Sequence, residues 1–434
     1  MRLLGVWKRL ILISILGETS LNILFLSELF YPTGGGAELA TYLYAKLLSS
    51  AGFSVVVVTN RFSGEPEFSD SEGFVVYRLP LFGKVENVKY SILKRVDVLL
   101  SVSMRKLLRW ADVVYVPRFW FSAIPLAKAL GKPVIVHLHD YIPICPLAVL
   151  YNSRVDGVCE KDGLCSAGCV YAYESGRRKS LVRAAGSTFL NLTIWPILKR
   201  FVECSDAVVC VSKAQRDILV KYLPSLGSKV RVIYNPLPDL SLVEMDGDDF
   251  GYFGGPSYLK GFHVLLKALR FRKREGLKSA IVHATKFSNV NRQFAGFLGD
   301  LGFAVYRKLD NYEYDRVYRK IRAVIVPSIW HEPLPYVVAE ALMKGRLVIA
   351  SRVGGIPEQV AGCNGALLFD AGNWKQLAEI MDYASDLSHE AIADYGIHNR
   401  EVFARASKKE KILQEFKNVL VEVVGLPCKH LLIR

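Results

Sequence analysis

Cysteine is scarce in this 434-residue chain, which has eight. That is too few for a disulfide scaffold, and several lie in apolar strand contexts such as Val208-Val209-Cys210-Val211, so a reducing, cytoplasmic compartment is expected. Acidic residues are also short: 41 Asp and Glu stand against 56 Lys and Arg, a net charge of +15. The excess favours nucleotide phosphates, polyanions or an anionic membrane face, although a basic surface also serves solubility alone. Nucleic-acid-binding motifs are missing, and no nucleic-acid partner is expected. Solenoid repeats, low-complexity tracts and long charge runs are missing too, which excludes repeat and disordered architectures. The full G-x-G-x-x-G dinucleotide fingerprint is absent, which argues against an oxidoreductase.

What is present is enough apolar sequence, 51%, for more than one core, and the length suggests two domains. Arg2, Lys8 and Arg9 precede the apolar stretch Leu10–Leu16, which is too short to cross a bilayer and has no clear cleavage site. Residues 1–21 read as an N-terminal extension that touches a membrane rather than a secretion signal. Two strand–helix series follow. Strands are expected near 22–27, 53–59, 73–79, 112–116, 133–138, 206–211 and 230–234, then near 249–253, 279–284, 303–307, 323–327, 347–350 and 366–369. Asn235-Pro236-Leu237-Pro238 and the acidic run after it form a hinge. The expected fold is α/β, with two Rossmann-like domains facing across a cleft: 22–235, carrying an insertion at 141–176, and 236–405. A last helical segment closes the chain at 406–434.

The most informative segment is Glu332-Pro333-Leu334-Pro335-Tyr336-Val337-Val338-Ala339-Glu340. A proline is tolerated in a first helical turn but not inside a helix, so the helix begins after Pro335. Glu332 then lies in a strand-to-helix loop and Glu340 about one turn into the helix. Both can face one ligand at the carboxyl end of a sheet. The alternative is a solvated loop with one exposed helix glutamate. Three further loops fall at the same edges. Thr33-Gly34-Gly35-Gly36-Ala37-Glu38 precedes a helix, and its amides can hold a phosphate or sugar oxygen or simply make a tight turn. Gly254-Gly255-Pro256-Ser257-Tyr258-Leu259-Lys260-Gly261 puts Lys260 near a helix N-terminus, which is unfavourable unless an anion lies between them. Val353-Gly354-Gly355-Ile356-Pro357-Glu358 is the third.

His137 and His139 alternate with Leu138 and so share one strand face, with His139 nearer the carboxyl end. Cys145, Cys159, Cys165 and Cys169 are spaced C-x13-C-x5-C-x3-C. They could hold a structural zinc, with reduced thiols and disulfides as the alternatives. Arg177, Arg178, Lys179 and Arg183 precede Phe189, Leu190, Leu192, Ile194, Trp195, Ile197 and Leu198, with Lys199 and Arg200 after them. The pattern suits either an interfacial helix on an anionic leaflet or a helix packed on the sheet.

Taken in order and spacing over residues 22–400, the motifs GGGAE (34–38), HLHDY (137–141), VSKAQRD (211–217), VIYNP (232–236), YLKG (258–261), the Glu332/Glu340 pair and VGGIPE (353–358) resemble the retaining nucleotide-sugar glycosyltransferases of family 4. The resemblance implies the GT-B fold, with the helical segment at 406–434 returning to the N-terminal domain, and a hexosyltransferase-type enzyme. A nucleotide-diphosphate sugar would be its donor, a glycan or lipid-linked molecule its acceptor, and no metal or other cofactor would be required for catalysis. It implies that Lys260 neutralises the donor diphosphate, Glu332 contacts the donor sugar and Glu340 binds the ribose hydroxyls. Gly35, Gly36 and Gly254 would approach the donor, the amides of Glu332, Pro333, Leu334, Pro335 and Tyr336 would form the turn supporting the phosphates, and His139 would sit beside the transferred sugar. An inner-membrane-face, peripheral location would suit a lipid-linked acceptor. Two departures stand out: Gly255 replaces an arginine common in relatives, so another cation is needed, and Pro333-Leu334-Pro335 replaces a glycine-rich turn. A catalytically idle GT-B partner protein and a GT-B nucleotide-sugar epimerase are the alternatives.

Overall fold

A computed structural model describes residues 21–84, 92–154, 157–159, 167–177, 180–277, 280–287, 292–307, 309 and 311–425. The expected N-terminal extension lies outside the described residues apart from Leu21. The chain forms two compact units. The first takes residues up to 148, 178–237 and from 409; the second takes 149–177 and 238–408.

In chain order the strands are β1 Asn22–Leu26, β2 Ser54–Asn60, β3 Phe68–Ser71, β4 Phe74–Leu79, β5 Val113–Val116, β6 Val134–Leu138, β7 Tyr151–Asn152, β8 Gly157–Val158, β9 Ala207–Cys210, β10 Val230–Val232, β11 Asp249–Tyr252, β12 Val282–Ala284, β13 Phe303–Val305, β14 Ile321–Val326, β15 Leu347–Ser351 and β16 Ala366–Phe369. The first unit holds an eight-stranded sheet ordered β10-β9-β6-β5-β1-β2-β4-β3. It is parallel except for β3, which runs antiparallel to β4. The second unit holds a six-stranded parallel sheet ordered β13-β12-β11-β14-β15-β16. Strands such as Val113-Val114-Tyr115-Val116 and Leu347-Val348-Ile349-Ala350 are buried throughout, as parallel sheets covered on both faces require.

Each sheet has a point where strand order reverses, between β1 and β5 in the first unit and between β11 and β14 in the second. Loops leaving the carboxyl ends of such neighbours splay apart and open a crevice. The glycine loop before the helix Gly36–Ser50 follows β1, and residues 117–122 follow β5. In the second unit the loop ending at Gly261 follows β11, and the Glu332 turn follows β14.

One boundary differs from the sequence reading. The insertion was expected to belong wholly to the first domain. Residues 149–177 instead join the second unit, because Tyr151 is buried in a core with Phe250, Tyr252 and Phe262, and Val149 packs against it. The final helix, Lys409–Val424, belongs to the first unit and sets Ile412, Phe416, Val419 and Leu420 into its core beside Tyr44 and Tyr115.

Candidate active site

Each switch point gathers charged side chains within its own unit. In the first, Gly35 is the N-cap of the helix Gly36–Ser50, and its amide donates to Glu38 Oε2 at 2.7 Å. That amide is therefore taken up by the protein's own carboxylate, while Gly36 is exposed at the first helical position. Arg118, just past β5, reaches both Glu38 Oε1 at 3.1 Å and Glu28 Oε1 at 3.7 Å, and both glutamates are buried. Burial works against the Arg118 charge, but Glu38, Glu28 and Asp140 outweigh it and raise its pKa above the usual arginine value.

His139 follows β6 and stacks on His137 with ring centroids 4.6 Å apart. Burial, and then the neighbouring Arg118 cation, push its pKa down to about 3, so the imidazole is neutral at physiological pH. His139 Nε2 is buried and has no hydrogen-bond partner among the described residues, leaving a polar atom for a ligand to satisfy. His137 lies deeper. Its Nδ1 is 2.5 Å from the Tyr115 hydroxyl, and burial, then His139, hold its pKa well below the ordinary value. The motif at 211–217 braces this edge: Gln215 donates to the Asp140 carbonyl at 3.0 Å and accepts from the Val211 amide at 2.8 Å.

In the second unit Lys260 Nζ lies 2.6 Å from Glu332 Oε1. The same oxygen accepts from Ser328 Oγ at 2.6 Å and Trp330 Nε1 at 2.8 Å. Glu332 is 3% exposed, which overturns the solvated-loop alternative: a carboxylate held by three donors in the interior is a fixed element. Lys260 remains partly exposed over the Trp330 ring. Its loop approaches β14 so closely that a Cβ on Gly261, at φ +74°, would lie 1.7 Å from the Pro327 carbonyl oxygen. Only glycine fits there.

The helix starts at Tyr336 with Pro335 as its N-cap. Glu340 Oε2 accepts from Tyr314 at 2.8 Å. Burial raises the Glu340 pKa, while Tyr314, Lys286 and Lys344 oppose the shift. Gly355 donates its amide to the Glu332 carbonyl at 2.7 Å, and Gln359 donates to the Pro335 carbonyl at 3.2 Å. The proline-rich turn is thus held from below by the VGGIPE segment. Gly254 sits against Tyr252, whose hydroxyl donates to the Gly255 carbonyl at 2.8 Å.

The residues expected at a site thus fall into two groups: Gly35, Gly36 and His139 in the first unit, and Gly254, Lys260, Glu332, Pro333, Leu334, Pro335, Tyr336 and Glu340 in the second. Sequence reasoning missed Glu28, Arg118, Tyr314, Trp330 and Lys286. Glu38 had a local signal, an acid three residues past an N-cap. Trp330 contacts Glu332 two residues away, without a motif to mark it, and Glu28, Arg118, Tyr314 and Lys286 are joined by contacts distant in sequence. Among the described residues no three His, Cys, Asp or Glu side chains are grouped to hold a metal. Cys165 of the expected cysteine cluster lies outside the described residues; Cys145 and Cys169 are buried and Cys159 is partly exposed.

Two α/β units, each built on a largely parallel sheet with one switch point, match the GT-B class of fold. The sequence profile of Glycosyltransferase Family 4 matches residues 34–239, and that of Glycosyl transferases group 1 matches residues 243–402. The chain belongs to the glycosyltransferase group 1 family. It is 24% identical over 349 residues to an uncharacterized 42.6 kDa protein in the cps region of Klebsiella pneumoniae, covering 78% of this chain and 87% of that one. Sucrose-phosphate synthase from Thermosynechococcus elongatus has the same fold, with a TM-score of 0.67, 15% identity and coverage of 93% of this chain and 99% of that one. HepE of Anabaena, solved in complex with UDP-glucose, gives a TM-score of 0.61 at 18% identity over 92% of this chain and 99% of its own.

Proposed function

We propose that this protein is a retaining glycosyltransferase that moves a hexosyl group from a nucleotide-diphosphate sugar to a glycan or lipid-linked acceptor. The observation that carries the reading is the Lys260–Glu332 pair at 2.6 Å, set in the loops that leave adjacent strands at the second unit's switch point. Breaking the anomeric bond leaves a diphosphate, and a fixed cation stabilises that charge as it develops. Glu332, held by three donors, orients Lys260 and faces the sugar; Glu340 accepts from the ribose hydroxyls. His139, neutral and with an open Nε2, positions the sugar through hydrogen bonds. The departing phosphate takes the acceptor proton in a front-face, oxocarbenium-like step, so no protein nucleophile acts. The UDP-glucose complex of HepE supports a donor of this class.

The test is incubation with UDP-, GDP-, ADP-, CDP- and dTDP-sugars, with and without acceptor, reading nucleotide release and product anomer by NMR. Acceptor-dependent release with retained configuration is expected. Donor conversion without acceptor marks an epimerase, and neither binding nor release an idle partner protein. Turnover is expected to survive EDTA. A loss restored by a divalent ion overturns the metal-independent step, whereas joint loss of fold and activity points to a structural ion at the cysteines.

We further infer that the acceptor is met at an anionic membrane surface, on the inner face of the cell membrane. The helix Leu181–Glu203 buries Ala184, Ser187, Thr188 and Val202 and exposes Leu181, Val182, Phe189 and Ile197. Large apolar side chains thus face outward, with Arg183, Lys199 and Arg200 on the same helix, a combination that suits contact with an anionic leaflet. It is long and apolar enough to cross a membrane by length and composition alone; its cationic residues and Pro196 favour lying in the interface. Co-sedimentation with phosphatidylglycerol vesicles should weaken as salt rises. Indifference to such vesicles at low salt sinks this part and favours a soluble acceptor.

A further inference from the structure

The switch-point loops of the second unit contain a second lysine that the sequence motifs do not mark. Lys286 follows β12, the neighbour of β11, so its loop lies beside the one that carries Gly255 and Lys260; the Thr285 amide donates to the Tyr252 carbonyl at 3.1 Å and ties the two together. Lys286 has φ +66°, a left-handed conformation that side-chain-bearing residues adopt at a cost and that clusters at functional sites.

Gly255 lies against it. A Cβ on Gly255 would stand 3.2 Å from the Lys286 carbonyl oxygen and 3.3 Å from its Cβ. A long side chain at 255 and Lys286 in its present place therefore compete for one space. The absence of a cation at 255 and the presence of one at 286 are two sides of the same arrangement.

Lys286 is exposed, and its ammonium has no ion pair or hydrogen bond among the described residues. It is near enough to Glu340 and Lys260 to feel both charges. Burial by the surrounding protein holds its pKa below the usual lysine value, Glu340 acts in the opposite sense, and Lys260 adds to the lowering. Lys260 is bound to Glu332, whereas the Lys286 ammonium is held by no side chain among the described residues and feels both the carboxylate read as the ribose contact and the lysine read as the diphosphate contact. Two cations so close repel each other, and a bound dianion relieves that repulsion.

We propose that Lys286 is a second diphosphate-binding cation of the donor site, occupying the space that Gly255 leaves free. This rests on the nucleotide-sugar reading above. The test is calorimetric titration of wild-type protein with UDP, GDP and ADP, then of Lys286→Gln, Lys286→Gly and Lys286→Arg with the tightest binder and with its nucleoside. Lys286→Gly suits the left-handed backbone, so it decides the matter if Lys286→Gln does not fold. The neutral variants should bind the diphosphate about tenfold or more weakly, with a flatter salt dependence and unchanged nucleoside affinity. Lys286→Arg should recover most of the loss. If the folded neutral variants bind the diphosphate like wild type, or lose nucleoside and diphosphate equally, Lys286 is not a phosphate contact and the donor reading stands. If wild type binds none of the three diphosphates, the donor reading fails and this inference with it.

Discussion

At the switch point of the first sheet two carboxylates, Glu28 and Glu38, close on one guanidinium, Arg118. At that of the second, one carboxylate, Glu332, holds Lys260, while Lys286 stands open nearby. The first arrangement consumes its own charge. Glu38 is spent on the Gly35 amide and on Arg118, so the cluster braces a loop, and the neutral His139 beside it keeps an unsatisfied Nε2. The second pairs Lys260 with Glu332 and leaves the Lys286 ammonium without an ion-pair partner among the described residues. On the proposed reading the first unit would meet the sugar through the neutral His139, and the second would meet the phosphates through its lysines.

The largest effect should come from unbalancing the first cluster. Arg118→Ala leaves two buried carboxylates facing each other and should cost about 3–5 kcal/mol of stability, read by denaturant unfolding. A loss within about 0.5 kcal/mol would show that the cluster is no brace. Next comes Lys260→Ala, which should still fold, with Ser328 and Trp330 left to hold Glu332, while turnover at saturating donor falls on the order of 100-fold. A folded variant with near-normal turnover removes Lys260 from the reacting centre.

Smaller still is the contrast between the two glutamates. Glu340→Ala should weaken nucleoside-diphosphate binding about tenfold, the scale of a lost charged hydrogen bond, whereas Glu332→Ala should act mainly on turnover. Unchanged nucleotide affinity in Glu340→Ala refutes the split.

The smallest effect belongs to the histidines of the first unit. His137 and His139 have depressed pKa values in the folded state, His139 at about 3, so the unfolded chain binds their protons first as pH falls. Their contribution is fully present above about pH 6.5 and is lost as pH drops toward 3. The slope is no more than about 1.4 kcal/mol per pH unit for each histidine. His139→Gln should flatten that fall in chemical denaturation between pH 6.5 and 5, and an unaltered slope would mean that His139 is not buried neutral.

Most of the sheet framework was legible in the sequence. Buried parallel strands are runs of β-branched and aromatic residues such as Val55-Val56-Val57-Val58, and the spacing of helices between them dictates parallel pairing. Strand β3, Phe-Ser-Asp-Ser at the sheet edge, has no such run and was not legible; its ladder is supplied by β4. The pairing of β7 with β8 depends on two residues in each strand, too few to leave a pattern. The placement of 149–177 depends on where Tyr151 buries its ring, a contact with residues about a hundred positions later. In the site, Lys260, Glu332 and Glu340 announced themselves by position at strand ends. Arg118 and Lys286 did not, because an arginine or lysine after a strand is ordinary until the sheet order brings it to its neighbours.

The return of the helix Lys409–Val424 to the first unit has a consequence for synthesis. Phe416 lies 5.6 Å from Tyr44 and 5.5 Å from Tyr115 between ring centroids, so the first-translated sheet waits for one of the last-translated helices. At about 5 to 20 residues per second the stretch 238–408 takes roughly 10 to 30 seconds to emerge. Throughout that interval the nascent sheet presents an open apolar trough where Ile412, Phe416, Val419 and Leu420 will later lie. The second unit, whose residues are nearly all contiguous, can close first. An order of folding opposite to the order of translation is then open to this chain, with the second unit forming before the core of the first is complete.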